Sequence, residues 1–299
     1  MTTSLPARLQ PYLLLAIGGA CLGSFAPLSK IGLRAGIPPV SYMFYAALGA
    51  SAGLLIWTCV TRKVPSLAPA SLIYYAISAL LTFVIPSLAT VIIVEEIGAG
   101  LVAISFTLVP VLTYVFAVVL KLELFRRLRA LGVLLGLAGA VIIYLPGTTL
   151  IDSEGALWTY SALIIPLSLA TGGIFRTIAW PKGASASQLA TGTLSMSAIM
   201  LLPILFWRGE AYWPFYLTSA ADWIMVFQIL TAFISYLILF ELQKSQGVVF
   251  QSLIGYVSTM TGVFVGFFIY GEDFTYFLWF ALLLMVCGMA LVNRQKVQT

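Results

Sequence analysis

Apolar runs of about 20 residues, separated by short polar connections, recur along the whole chain of 299 residues. A helix needs about 20 such residues to cross the roughly 30 Å hydrocarbon layer of a bilayer. Because lipid offers no partners for free backbone groups, continuous apolarity over this length favours helices over the alternating strands of a barrel. Ten runs are long enough, and they cover residues 11–31, 39–60, 70–93, 98–120, 128–146, 155–176, 186–207, 221–242, 247–269 and 274–293.

The composition places these helices in lipid rather than in a soluble core. The chain is 61% hydrophobic and 8% charged, whereas a soluble domain carries about 25% charged residues. We therefore predict an all-α integral membrane protein with ten transmembrane helices. The net charge of +5 is spread between apolar runs and forms no basic face for nucleic acid. There is no histidine, and the three cysteines lack metal-ligand spacing, so no cofactor or metal is expected.

The basic residues predict the orientation of the chain. If the N-terminus lies inside, 12 of the 15 Lys and Arg residues fall in cytoplasmic segments. An excess of Lys and Arg marks the cytoplasmic side of membrane proteins. Both termini are therefore predicted to be cytoplasmic.

An internal repeat divides the chain into two five-helix units, residues 1–149 and 150–299. A shift of 149 superposes three landmarks of the first unit on three of the second, namely Pro110, Glu123 and Gly139 on Thr259, Glu272 and Gly288. Because each unit has an odd number of spans, the second enters the membrane from the opposite side. Such inverted 5+5 repeats are typical of secondary transporters, which bind substrate near the midplane between the halves.

Charged residues are missing from the span centres. Lys30 and Arg176 lie near span ends, where snorkelling towards the interface is the favoured interpretation. A gate or a contact to a substrate carboxylate is the alternative. Glu123 and Glu272 are expected to brace tight turns rather than to carry protons.

Uncharged polar residues form stripes along one face of several predicted helices. Ser78 and Thr82 in the third span follow helical spacing, as do Gln228 and Thr231 in the eighth. Hydrogen bonds between helices could explain any single residue. Stripes at matching places in both halves favour a shared cavity, and the candidate substrate-binding residues are Tyr75, Ser78, Thr82, Ser105, Ser168, Gln228, Thr231, Ser235, Ser252 and Tyr256.

Prolines inside the spans are candidate hinges. A proline removes one backbone hydrogen bond and bends its helix. Freed carbonyls are tolerated where they face protein or a water-filled cavity. The hinge candidates are Pro27, Pro86, Pro110 and Pro166.

The repeat pattern resembles the EamA-type branch of the drug/metabolite transporter superfamily. The matching residues are Pro110, Glu123, Gly132 and Gly139 in the first half and Gly271, Glu272 and Gly288 in the second. In size, span number and loop character the chain is similar to the YddG-type aromatic amino acid exporters. The resemblance implies a bacterial inner-membrane exporter of small metabolites with a cavity between the halves. Thr259 stands where the first half has Pro110, so the halves need not bend alike.

The expected activity is export of amino acids, aromatic or other apolar ones favoured, through an uncharged cavity. The alternative substrates are cationic or lipophilic drugs, which should require a membrane carboxylate or an aromatic box. A channel or a scaffold protein is a further alternative. An enzyme is not expected, because there is no histidine and no span carries paired carboxylates. Without a titratable group near a span centre, facilitated diffusion or exchange is expected rather than proton coupling. The expected partners are amino acids and the lipid bilayer, with a monomer as the working expectation.

Overall fold

Helices make up all the regular structure that the computed structural model describes, which covers residues 9–144, 157–158, 160–210, 212, 220–270 and 276–293. The first half contains α1 (Gln10–Gly23), α2 (Phe25–Arg34), α3 (Pro39–Val60), α4 (Pro69–Ala79), a π-helical turn (Leu80–Val84), α5 (Ile85–Ser105), α6 (Leu108–Val119) and α7 (Arg127–Tyr144). The second half contains α8 (Ile164–Ile178), α9 (Ala186–Trp207), α10 (Ala220–Gln246), α11 (Val248–Ser252), α12 (Ile254–Tyr270) and α13 (Tyr276–Asn293). The predicted boundary between the units, 149/150, lies outside the described residues.

Many of these helices suit a membrane. Six stretches are long and apolar enough to cross it, namely Gln10–Arg34, Pro39–Val60, Pro69–Gly98, Ala186–Trp207, Asp222–Gln246 and Val248–Val265. Shorter apolar helices cover Leu108–Val119, Ile164–Ile178 and Trp279–Val292. The protein is therefore a multi-pass membrane protein. The count of ten spans and the side of the termini stay predictions.

The outer surface is apolar as well. Large side chains such as Ile56, Phe206 and Trp207 are 68%, 68% and 85% exposed. Contiguous apolar surface of this kind is rare on soluble proteins, and it suits contact with lipid tails.

The repeat is visible in the backbone. Left-handed residues recur 147 to 149 positions apart, in the pairs Gly36 with Gly183, Arg62 with Gly209, and Gly98 with Gly247. Gly98 and Gly247 have φ of 82° and 85°, a conformation that costs glycine little and other residues more. Each of the two begins a new helical segment. The two halves thus share their turning points as well as their apolar pattern.

Counterpart helices α3 and α9 pack antiparallel. At one end, the Glu210 carboxylate accepts a hydrogen bond from the Val40 N–H at 2.8 Å. At the other end, Gln188 Nε2 donates to the Val64 carbonyl at 2.9 Å. The beginning of each helix therefore lies beside the end of the other.

Counterpart helices α7 and α13 are also antiparallel, and they meet at glycines. A Cβ on Gly288 would lie 2.4 Å from the Gly132 carbonyl oxygen, and one on Gly139 would lie 2.7 Å from the Ala281 carbonyl oxygen. Small residues allow such close approach of helices in membranes. An inverted repeat requires antiparallel counterparts, so both pairs agree with that topology.

Several spans are broken into two helices near prolines. Pro27, Pro110 and Pro166 each occupy the third position of the helix that follows a break, in α2, α6 and α8. Proline suits the first turn of a helix, because N–H groups there have no acceptor within the helix and the missing N–H costs no hydrogen bond. The ninth span is also broken, at Leu253, although Thr259 replaces the proline there. Both counterpart spans therefore bend, the second without a proline.

Candidate substrate cavity

A small cavity lies between α1, α2, the π-helical turn, α5, α8 and α10, so both halves contribute walls. Four predicted site or hinge residues line it: Thr82, Pro86, Gln228 and Ser235. The other lining residues are Cys21, Leu22, Phe25, Phe83, Ser87, Thr90, Phe106, Leu169, Ala232 and Tyr236.

The cavity combines aromatic walls with uncharged polar groups. Phe25, Phe83 and Phe106 supply rings, while Thr82 and Gln228 are among the residues that supply hydroxyl and amide groups. Among the described lining residues, none carries a charge. Its volume is about 40 Å³, which is room for roughly three water molecules. An amino acid would fit only after the surrounding helices had moved apart.

The π-helical turn beside the cavity is stabilised by hydroxyls from the second half. Pro86 has no N–H, so it leaves the Thr82 carbonyl without its partner four residues later. The Tyr236 hydroxyl donates to this carbonyl at 2.6 Å. Ser168 Oγ donates to the neighbouring Leu81 carbonyl at 2.7 Å. Backbone groups freed by the bend are thus satisfied from α8 and α10 rather than by water.

The polar stripe of α10 points partly into the cavity. Gln228 Oε1 accepts a hydrogen bond from the Tyr42 hydroxyl at 2.9 Å, which fixes the orientation of the amide. Ser235 lines the cavity, and its hydroxyl donates to the Ala232 carbonyl at 3.2 Å. Thr231 donates to the Gln228 carbonyl at 3.0 Å and lies next to the lining residues rather than among them.

Two predicted tyrosines lie away from the cavity, against glycines of neighbouring helices. A Cβ on Gly192 would come within 2.4 Å of the Tyr75 ring. A Cβ on Gly136 would come within 2.0 Å of the Tyr256 hydroxyl oxygen. The structure thus gives Tyr75 and Tyr256 a place in helix packing.

The predicted serines outside the lining are buried and hydrogen-bonded. Ser78 Oγ accepts from the Thr193 hydroxyl at 3.3 Å, which links α4 to α9. Ser105 and Ser252 each donate at 2.7 Å to the carbonyl three residues earlier. Intrahelical bonds of this kind satisfy a buried hydroxyl without requiring a ligand.

Some lining residues lie outside the polar stripes that the sequence predicts. Thr82, Pro86 and Thr90 follow each other at i, i+4 and i+8, so the stripe of the third span continues across its proline. Tyr236 stands eight residues after Gln228 on the same face of α10. Thr90 lies two turns after Thr82, and Tyr236 directly follows Ser235, the last residue of its predicted stripe.

Arg176 on α8 does not snorkel, contrary to the favoured interpretation. Its side chain is buried, with the residue 2% exposed, and Cζ lies 4.6 Å from the centroid of the Phe240 ring. Nε and Nη1 have no hydrogen-bond partner among the described residues. Burying an ion costs several kcal/mol, and a desolvated cation–π contact returns about 2 kcal/mol. An ionisable residue kept inside a membrane protein at this cost marks a functional site by default.

Glu123 braces the turn between two helices. Glu123 forms an ion pair with Arg129 across the turn between α6 and α7, which confirms its predicted bracing role. Its repeat counterpart Glu272 lies outside the described residues. Lys30 in α2 is partly buried.

Apolar spanning helices, two halves with matching turns and a cavity between them define a membrane transporter. A model of the EamA-like transporter family matches residues 9–145 and 156–294. The chain belongs to this family, whose members are transporters and not enzymes.

Solved structures share the fold. One, titled "Crystal structure of protein", has a TM-score of 0.68 and 16% identity, with 95% of this chain and 96% of that chain covered. In all, 28 chains of solved structures match. At this identity the likeness concerns the fold alone. No curated protein matches the chain.

Proposed function

We propose that the protein exports amino acids from the cytoplasm across a bacterial inner membrane, with aromatic or other apolar ones favoured. The observation that carries the proposal is the uncharged lining, in which Thr82, Gln228 and Ser235 stand beside the rings of Phe25 and Phe83. Hydroxyl and amide groups can hold a zwitterion, while aromatic walls accept an apolar side chain.

Transport would proceed by alternating access. The cavity of about 40 Å³ is too small for an amino acid, so the helices around it must part on one side at a time. Breaks near Pro27, Pro110 and Pro166 and the bend at Pro86 supply the flexible points. Because the Tyr236 hydroxyl joins the two halves at the Thr82 carbonyl, this contact is expected to open in one of the two states.

Substrate exchange is favoured over proton coupling. The described lining residues include no carboxylate that could carry a proton between the two sides. The missing carboxylate also disfavours cationic drugs, the alternative substrate class, because a buried net charge needs an opposite charge as its partner.

A counterflow assay tests the proposal. Purified protein in liposomes loaded with unlabelled phenylalanine should accumulate labelled phenylalanine transiently, and other apolar amino acids should compete better than cationic dyes. An imposed pH gradient should leave the rate unchanged. Competition by the dyes alone would favour the drug alternative, and accumulation that collapses with a proton uncoupler would reject exchange.

Thr82→Val tests the cavity wall, and Thr231→Val tests its repeat counterpart, which lies next to the wall. Removing one hydroxyl that binds substrate should lower the exchange rate about 2- to 12-fold, from the roughly 0.5–1.5 kcal/mol of a hydrogen bond. Thr171→Val is the matched control, because Thr171 is exposed on α8 and its hydroxyl bonds within its own helix. Equal rates in all three variants would favour a packing role for Thr82 and Thr231.

A further inference from the structure

A second cavity opens beside Arg176, on the side predicted to face the cytoplasm. Its volume is about 400 Å³, ten times that of the substrate cavity. It is lined by Thr177, Trp180, Pro181, Lys182, Gly183, Ala184, Gln243 and Lys244. We refer to it as the basic mouth, because Lys182 and Lys244 are both exposed there.

Arg176 is connected to both the basic mouth and the substrate cavity through its neighbours. Its next neighbour along the chain, Thr177, lines the mouth. Its guanidinium covers the ring of Phe240, which packs against Tyr236 at a centroid distance of 6.4 Å. Tyr236 in turn lines the substrate cavity. A chain of side-chain contacts therefore links Arg176 to both cavities.

Several buried polar atoms on Arg176 and on residues packed near α8 have no hydrogen-bond partner among the described residues. They are Nε and Nη1 of Arg176, the hydroxyl of Tyr74 and Oε1 of Gln243. The Tyr74 ring lies 5.7 Å, centroid to centroid, from the ring of Phe175, the residue before Arg176. The Gln243 side chain is held in place, since its Nε2 donates to the Gly173 carbonyl at 2.8 Å and to Thr177 Oγ1 at 2.9 Å. Unsatisfied buried groups of native proteins call for an explanation, and a ligand supplies one.

We propose that Arg176 binds the carboxylate of the transported amino acid between the basic mouth and the substrate cavity, an inference that rests on the proposed function. A guanidinium offers a planar fork of donors that matches a carboxylate. The Tyr74 hydroxyl can donate to the same carboxylate, and Gln243 Oε1 can accept from the ammonium group. A zwitterion thus finds a partner for each of its charges.

A purely structural Arg176 would stabilise the protein through Phe240 without distinguishing between substrates. If Arg176 binds the carboxylate, the preference for substrates that carry a carboxylate depends on Arg176. The test therefore compares phenylalanine with phenylalaninamide, which keeps the ammonium and the ring but lacks the carboxylate. It uses counterflow of labelled phenylalanine by the full-length protein in liposomes, with Arg176→Gln, Arg176→Lys and the mouth variant Lys182→Gln.

In the wild type, phenylalanine should compete at least about tenfold better than phenylalaninamide. The Arg176→Gln variant should lose about 10- to 100-fold in phenylalanine affinity and most of this preference, as expected for a charged hydrogen bond. Arg176→Lys should retain part of both. Lys182→Gln should keep the wild-type preference, because Lys182 is exposed and the zwitterion carries no net charge to attract.

Failure of the proposed function and failure of the inference about Arg176 give different results. A wild-type protein that exchanges no amino acid would reject the proposed function and this inference with it. A wild-type protein that exchanges phenylalanine but accepts the amide equally well would overturn the inference and leave the function in place. The wild-type comparison can therefore refute the inference even if the Arg176 variants do not fold. A folded Arg176→Gln variant with an unchanged preference would overturn it as well.

Discussion

Replacing Tyr236 with phenylalanine tests whether the bend at Pro86 depends on a hydroxyl from the other half. The hydroxyl donates to the Thr82 carbonyl at 2.6 Å. Pro86 has no N–H to offer this carbonyl, and Thr82 is only 5% exposed. Leaving a buried acceptor without a partner costs about 1–3 kcal/mol, whereas an average side-chain hydrogen bond between membrane helices is worth about 0.6 kcal/mol. We therefore expect Tyr236→Phe to lower the free energy of unfolding by about 1–2 kcal/mol.

The Pro86→Ala background makes the explanation specific. Alanine restores an N–H four residues after Thr82, and this N–H can bond the same carbonyl. The phenylalanine substitution at Tyr236 should then cost about 0.5 kcal/mol or less. The double-mutant cycle should give a coupling of about 1 kcal/mol between the two positions.

The assay is reversible unfolding in mixed micelles, followed by circular dichroism. Tyr256→Phe is the matched control, because this tyrosine is equally buried and its hydroxyl has no partner among the described residues. Removing that hydroxyl should be close to neutral. Equal costs of Tyr236→Phe in the wild type and in the Pro86→Ala background would refute the argument that the proline creates the need for the hydroxyl.

Two further predictions concern the contacts between counterpart helices. Gly288→Leu places a Cβ 2.4 Å from the Gly132 carbonyl oxygen and should lower the free energy of unfolding by about 1–3 kcal/mol. The control Ala290→Leu lies on the exposed face of the same helix and should change this free energy by less than about 0.5 kcal/mol. Equal effects of the two substitutions in an unfolding titration would contradict this interface. Glu210→Ala removes the partner of the Val40 N–H in the first turn of α3, which has no side-chain cap of its own, and should cost about 0.5–2 kcal/mol. An unchanged thermal melting curve would show that another group satisfies this amide.

Most of the helices follow from the sequence, because lipid leaves an apolar segment of this length little other choice. The run at 39–60 coincides with α3, and the run at 186–207 coincides with α9. The shift of 149 pairs Gly98 with Gly247, and both adopt left-handed conformations. The freedom of glycine to adopt this conformation belongs to the residue itself, so these two turns can be predicted from the sequence.

The shape of the site could not be predicted to the same extent, because it depends on contacts between distant residues. The π-helical turn at Leu80–Val84 requires hydroxyls from Ser168 and Tyr236, which stand more than 80 residues further along the chain. The position of Arg176 at the end of an apolar run suggested an interface. Its burial results from Phe240 on a different helix, and no periodicity within α8 encodes that contact.

The two halves share a backbone plan but divide the chemistry of the bend between them. A shift of 149 pairs Pro86 with Ser235 and Ser87 with Tyr236, so the first half carries the proline and the second carries the hydroxyl that compensates for it. The second half has an N–H at Ser235, and α10 continues unbroken through this point. Bending of the first half is therefore stabilised only while the second half packs against it in this arrangement. A movement that separates Tyr236 from Thr82 leaves a carbonyl that water must satisfy, and an opened cavity would supply that water. Opening of the cavity and release of the bend are thus expected to occur together.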